Sequence, residues 1–171
     1  MVDESRCRYG RGMASSLEIY LQNHEAAAQA GSALFRRTAA NQRSREYGDQ
    51  LQALASEVEE DHRRLRAIMS KVGVPPNVAF GLTLRLGERL GRLKPNGRLV
   101  HRAPLSDLIE IEGLLDAVSA KRAGWQALTT IESTPGMDPG EIDELLARAD
   151  DQLSHLTILH TRVATEVLST T

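Results

Sequence analysis

Apolar residues recur along the chain at spacings of three and four in four long stretches, and the breaks between them carry prolines and glycines. The first stretch predicts a helix from about Ser16 to Thr38, opened by the capping pair Ser15 and Glu18, with Leu17, Tyr20, Leu21, Ala27, Ala28, Gly31, Leu34 and Phe35 on one face. A second helix, about Ser44 to Val72, turns Tyr47, Leu51, Leu54, Val58, Leu65, Ile68, Met69 and Val72 inward and stops at Gly73 and Pro75-Pro76. The third, about Leu105 to Ile131, offers Leu105, Leu108, Leu115, Val118 and Trp125. The fourth opens on Asp138-Pro139-Gly140-Glu141, which supplies an N-cap, a first-turn proline and a reciprocal glutamate, and continues through Ile142, Leu145, Leu146, Ala149, Leu153, Leu156, Leu159, Val163 and Val167. No stretch alternates with period two over a strand length, so an all-α fold without a sheet is expected.

Connection lengths set the expected topology. Few residues separate helices 1 and 2, or helices 3 and 4, so each pair reads as an antiparallel hairpin. The hairpins are joined by a long crossover, residues 73–104, in which Leu82, Leu86, Leu90 and Leu93 predict a short amphipathic helix packed across the bundle. All six prolines fall between the periodic segments, where a missing N–H does no harm. Residues 1–14 read as a polar N-terminal arm, with Met13 a candidate natural start that would make 1–12 an extension, and residues 15–168 read as a single four-helix domain.

Each apolar stripe is interrupted near its middle by polar residues: His24, Asp61 with His62, Glu112, and Gln152. Burying carboxylates and imidazoles costs several kcal/mol unless partners or a metal satisfy them. The interruptions therefore predict either a closed hydrogen-bond network of His24, Asp61, Glu112 and Gln152 that fixes helix register, or a binding site. Laying Tyr20, Leu21, His24, Ala27 and Gly31 over Leu108, Ile109, Glu112, Leu115 and Ser119 matches apolar or small residues at nearly every position, so the hairpins read as weak repeats with His24 opposite Glu112. The same register brings Asp61-His62 near Gln152-Leu153.

With these residues in place the chain resembles the ferritin-like superfamily over about residues 15–168, and the crossover with helix 3 looks most like an actinobacterial branch of it. Members related to ferritin and rubrerythrin carry a glutamate on helix 1, Glu-x-x-His on helix 2, a glutamate on helix 3 and a second Glu-x-x-His on helix 4. The matching positions are Glu25, Glu59-Glu60-Asp61-His62, Glu110 or Glu112, and Gln152-Leu153-Ser154-His155. The resemblance implies an up-down four-helix bundle and, in its active form, a di-iron or di-manganese centre on Glu25, Glu59, His62, Glu112 and His155. Two departures count against that centre: Gln152 stands where a carboxylate is expected, and the stripes aim His24 and Asp61 inward more squarely than Glu25 and Glu59. The preferred expectation is a non-catalytic binding or structural protein with no cofactor and a metal-free polar layer; the alternative is a di-metal oxidoreductase or metal-handling protein.

Charge changes this picture in one place. The 171 residues carry a formal net charge of −2, yet Arg85, Arg89, Arg92, Lys94, Arg98 and Arg102 cluster in the crossover against only Glu88. Such a stripe suits an anion, an acidic protein partner, or the acidic faces of the same molecule, and a homo-oligomer is a further possibility. The segment has almost no stacking aromatics and no glycine-rich phosphate loop, so nucleic acid is not an expected partner. The leucines are needed to cover the bundle, which argues against a membrane surface. One cysteine, Cys7, cannot form an internal disulfide. With no apolar leader or spanning run, the expected location is the cytoplasm. Nucleophile-elbow, P-loop, dinucleotide and zinc-cysteine signatures are missing, which sets aside the hydrolase and nucleotide-enzyme classes.

Overall fold

The computed structural model describes residues 15–76, 104–131 and 134–169, and these are helical with no strand among them. Helix α1 runs Ser16–Asn41, α2 Gly48–Lys71, α3 Pro104–Leu128 and α4 Pro139–Leu168. Local signals set the ends. The Ser15 hydroxyl accepts from the Glu18 N–H at 3.1 Å, and the Asp138 carboxylate accepts from the Gly140 N–H at 3.0 Å ahead of Pro139. At the end of α2 the chain turns through Gly73 at φ 77°, a left-handed conformation that suits glycine, and the Val74 N–H closes back on the Met69 carbonyl at 2.8 Å.

Helix α1 packs closely on α2 and α3, and α3 on α4. The contacts give the direction of each. Gly31 meets Ala117 and His24 meets Gly124, while the Gln42 amide at the end of α1 donates to Glu110 Oε2 at 2.9 Å near the start of α3, so α1 and α3 are antiparallel. Lys71 with Glu141 at 3.1 Å and Arg64 with Glu144 at 2.6 Å run α2 against α4 in the same opposed sense, and a further Arg162–Glu46 pair continues that seam. The end of α2 lies beside the start of α1, where the Gln22 amide donates to the Pro75 carbonyl at 3.2 Å. The start of α3 lies at the other end of α1. The four helices thus form a bundle whose two hairpins begin and end at opposite poles.

The core follows the predicted stripes on α2 and α4 almost residue for residue, with Leu51, Ile68, Met69, Ile142, Leu145 and Leu156 essentially sealed from solvent. Helix α3 differs. Its buried series is Leu108, Ile111, Leu114, Val118, Trp125 and Leu128, whereas Leu105 is 49% exposed and Leu115 only partly buried. Adjacent apolar residues at 108–109, 111 and 114–115 allow two stripes about 100° apart, and packing selects the one on Ile111 and Leu114. The amphipathic helix expected over Leu82 to Leu93 lies outside the described residues, as do the N-terminal arm and the basic positions Arg85, Arg89, Arg92, Lys94, Arg98 and Arg102.

Candidate functional site

Asp61 sits at mid-length on α2 with 1% of its side chain exposed. An ionised carboxylate at that depth needs donors from every side. They arrive from two other helices. Lys121 Nζ of α3 lies 2.6 Å from Oδ2, Arg148 Nε of α4 lies 2.8 Å from Oδ1, and the Gln152 amide of α4 donates to Oδ2 at 3.1 Å. Lys121 also donates to the Gln152 carbonyl oxygen, and the Gln152 amide reaches Glu57 Oε2 at 3.1 Å. Gln152 is what this cluster requires: its oxygen accepts from the ammonium while its nitrogen donates to two carboxylates, which a glutamate at the position could not do. Burial pushes the Lys121 ammonium below the ordinary lysine value, and the Asp61 charge opposes that push.

A second pair lies on the α1–α2 side. Glu25 is buried and faces His62 Nε2 at 3.1 Å, with Arg66 Nε at 3.9 Å. His24, one residue away, is half-buried against the Tyr20 ring, 4.4 Å between centroids, and lies against the backbone of Gly124. Burial lowers its pKa from 6.5. The unfolded chain protonates this imidazole more readily than the folded one, so His24 withdraws stability as pH falls below about 6.5, and the loss levels off below its lowered folded value. Urea unfolding of wild type and His24→Leu at about pH 7 and about pH 5 measures it: the variant should lose less stability on acidification.

The contact with Gly124 is tight. A Cβ there would lie 2.8 Å from two atoms of the His24 ring. Gly124→Ala should therefore cost about 1–3 kcal/mol through displacement of the ring, and combining it with His24→Ala should recover most of that loss in thermal unfolding.

Of the four residues expected to form one polar layer, Asp61 and Gln152 meet, whereas His24 and Glu112 join neither them nor each other. Glu112 is corrected outright: its side chain is 53% exposed and pairs with His160 at 3.2 Å. Two physical reasons apply. The register of α3 places Ile111 inward in its stead, and repeat-related positions on antiparallel helices coincide in height only near the symmetry axis. His24 lies level with Gly124, twelve residues, or roughly 18 Å, from Glu112 along α3. Glu25 is also corrected, since it is more buried than His24 and points toward His62 rather than to the flank.

Among the five residues implied as metal ligands only Glu25 and His62 come together. Glu59 and His155 are exposed and Glu112 is on the outer surface. Among the described residues no three His, Cys, Asp or Glu side chains converge as a metal-binding group. The buried oxygens of Asp61 and Gln152 are engaged by the Lys121 ammonium, and Asp61 also by Arg148. These residues do not fit a di-metal centre.

Lys121 and Arg148 were not anticipated from the sequence. The signal for Lys121 was present: with Ile111, Leu114, Val118, Trp125 and Leu128 facing inward, position 121 completes the same helical face. Among the described residues no helix is long and apolar enough to cross a membrane. No protein-family model, no curated protein and no solved structure matches this chain.

Proposed function

We propose that the chain is a ferritin-like bundle that works by binding rather than by catalysis, with a metal-free polar core in which Lys121 supplies the positive charge that di-metal members take from ions. One observation carries the reading: Lys121 Nζ bridges the Asp61 carboxylate and the Gln152 amide oxygen between three helices, so an ammonium already neutralises the buried charge. The directions of the four helices, with hairpins starting at opposite poles, support the ferritin-like part. A divalent ion entering the layer would have to displace an ammonium held by a buried carboxylate, and it would be repelled by Arg148 as well.

A second reading, a di-iron or di-manganese oxidoreductase, retains the Glu25–His62 pair, a buried carboxylate facing an imidazole from a neighbouring helix. The two readings separate in metal analysis of protein purified without chelator. The binding-protein reading expects iron and manganese well below one ion per chain, with melting unchanged on adding either. Stoichiometric metal that disappears in both Glu25→Ala and His62→Ala would overturn it. The homo-oligomeric or acidic-partner role of the basic crossover stays part of the proposal, with its residues outside the described set.

A further inference from the structure

A cavity of about 690 Å³ lies between α1, α2 and α3, on the side of the bundle away from α4. Small residues line it, Ala27, Ala28, Ala30 and Gly31 on α1 and Gly113, Ala117 and Ala120 on α3, and Gly31 lets α1 approach Ala117 of α3. The volume falls within the range of sites that enclose a small organic molecule. Its walls are mainly apolar, with Leu21, Phe35, Val58 and Leu65 contributing. Polar groups are few and differ in state. Trp125 lines the cavity, is 3% exposed, and its indole N–H is buried without a hydrogen-bond partner among the described residues. That N–H has no surface open to the cavity and offers a ligand no donor there.

The charged groups at the cavity wall are already engaged. Asp61 and Lys121 hold each other, His62 faces Glu25, and Glu112 at the exposed rim pairs with His160. Among the described residues an anionic ligand finds no free cation at this wall, and a cationic one no free carboxylate from these pairs. His24 adds an imidazole that burial favours in its neutral form.

We propose that this cavity binds an uncharged lipophilic molecule, such as a long-chain ketone, ester or alcohol. The inference rests on the binding-protein reading above and names its ligand class. It fails separately from that reading, because probe binding does not report metal content or the pairing of Lys121.

Trp125 is the single tryptophan of the chain and serves as reporter. N-phenylnaphthylamine and its sulfonated analogue anilinonaphthalenesulfonate share a scaffold and differ in charge. The expected result is binding of the first, with a gain in its fluorescence and quenching of Trp125, and at least about tenfold weaker binding of the second, the order expected when one charge must be desolvated without a partner. Dodecanone should displace the probe, whereas dodecanoate and dodecylammonium should not. Ala27→Leu and Ala120→Leu, made separately at lining positions outside the close α1–α3 contact, should each weaken binding about tenfold or more with little change in the melting temperature. Equal binding of charged and uncharged probes, no binding at all, or undiminished binding in a folded leucine variant would overturn the proposal. A dimer that dissociates in the leucine variants would do so too, since a second copy would then be the occupant.

Discussion

Asp61→Ala should lower the unfolding free energy by about 3–5 kcal/mol, the range for breaking a buried ion pair by removing one partner. The loss comes from what remains. Lys121, 14% exposed, would keep its charge in the core with the Gln152 oxygen as its hydrogen-bond partner and Glu57 as the remaining carboxylate acting on it, and the Gln152 amide would lose one of its two carboxylates. Arg148, 31% exposed, can turn its guanidinium toward solvent and so contributes less to the penalty. The double variant Asp61→Leu with Lys121→Met should recover most of the stability, because two apolar side chains of similar volume replace a pair whose desolvation cost is comparable to its attraction. Urea denaturation of the wild type, both single variants and the double variant gives the coupling energy directly. A single-variant loss below about 1 kcal/mol, the scale of an exposed pair, would show that Asp61 is not held in a dry environment.

The four described helices, their directions and most of the core were legible because apolar spacing and the proline and glycine breaks report on local geometry, as at Asp138-Pro139 and at Gly73. Asp61 was legible for the same reason: it is the one charged residue in an otherwise apolar face of α2. The partner set was not. A lysine on an amphipathic helix is ordinarily solvated, and a long side chain can reach inward or outward from the same position, so only the register of α3 decides where Lys121 goes. That register was ambiguous because apolar residues adjoin at 108–109 and 114–115, and the choice between faces was made by packing against α1 and α4 rather than by the helix itself. Glu112 and Lys121 are two sides of one error: rotating α3 by one residue takes the glutamate out of the core and brings the lysine in. Glu25 escaped for a different reason. Its neighbour His24 fits the apolar stripe as well, and the choice depends on His62 of α2, a contact between helices that periodicity along one of them does not contain.

Removing the ammonium should turn the polar layer into a cation site. In the variant Lys121→Ala with Gln152→Glu, the carboxylates of Asp61, of the new glutamate and of Glu57 would border the space that Nζ now fills, since Gln152 already touches both Asp61 and Glu57 at 3.1 Å. Three carboxylates with only the Arg148 guanidinium left beside them repel one another, so the ion-free variant should be less stable than the wild type. Oxygen donors of this kind suit manganese or magnesium. With free manganese about a hundredfold above its Kd, binding should restore about 2.7 kcal/mol. For a chain of this length that is a rise in melting temperature of about 5–10 °C, while the wild type should move by less than about 1 °C, because its layer already holds a cation. The comparison isolates Lys121: Gln152→Glu alone keeps the ammonium beside an added carboxylate and should show little dependence on manganese. A double variant whose melting ignores manganese, or a wild type that responds as strongly as the variant, would mean that the ammonium is not what closes this layer to metal.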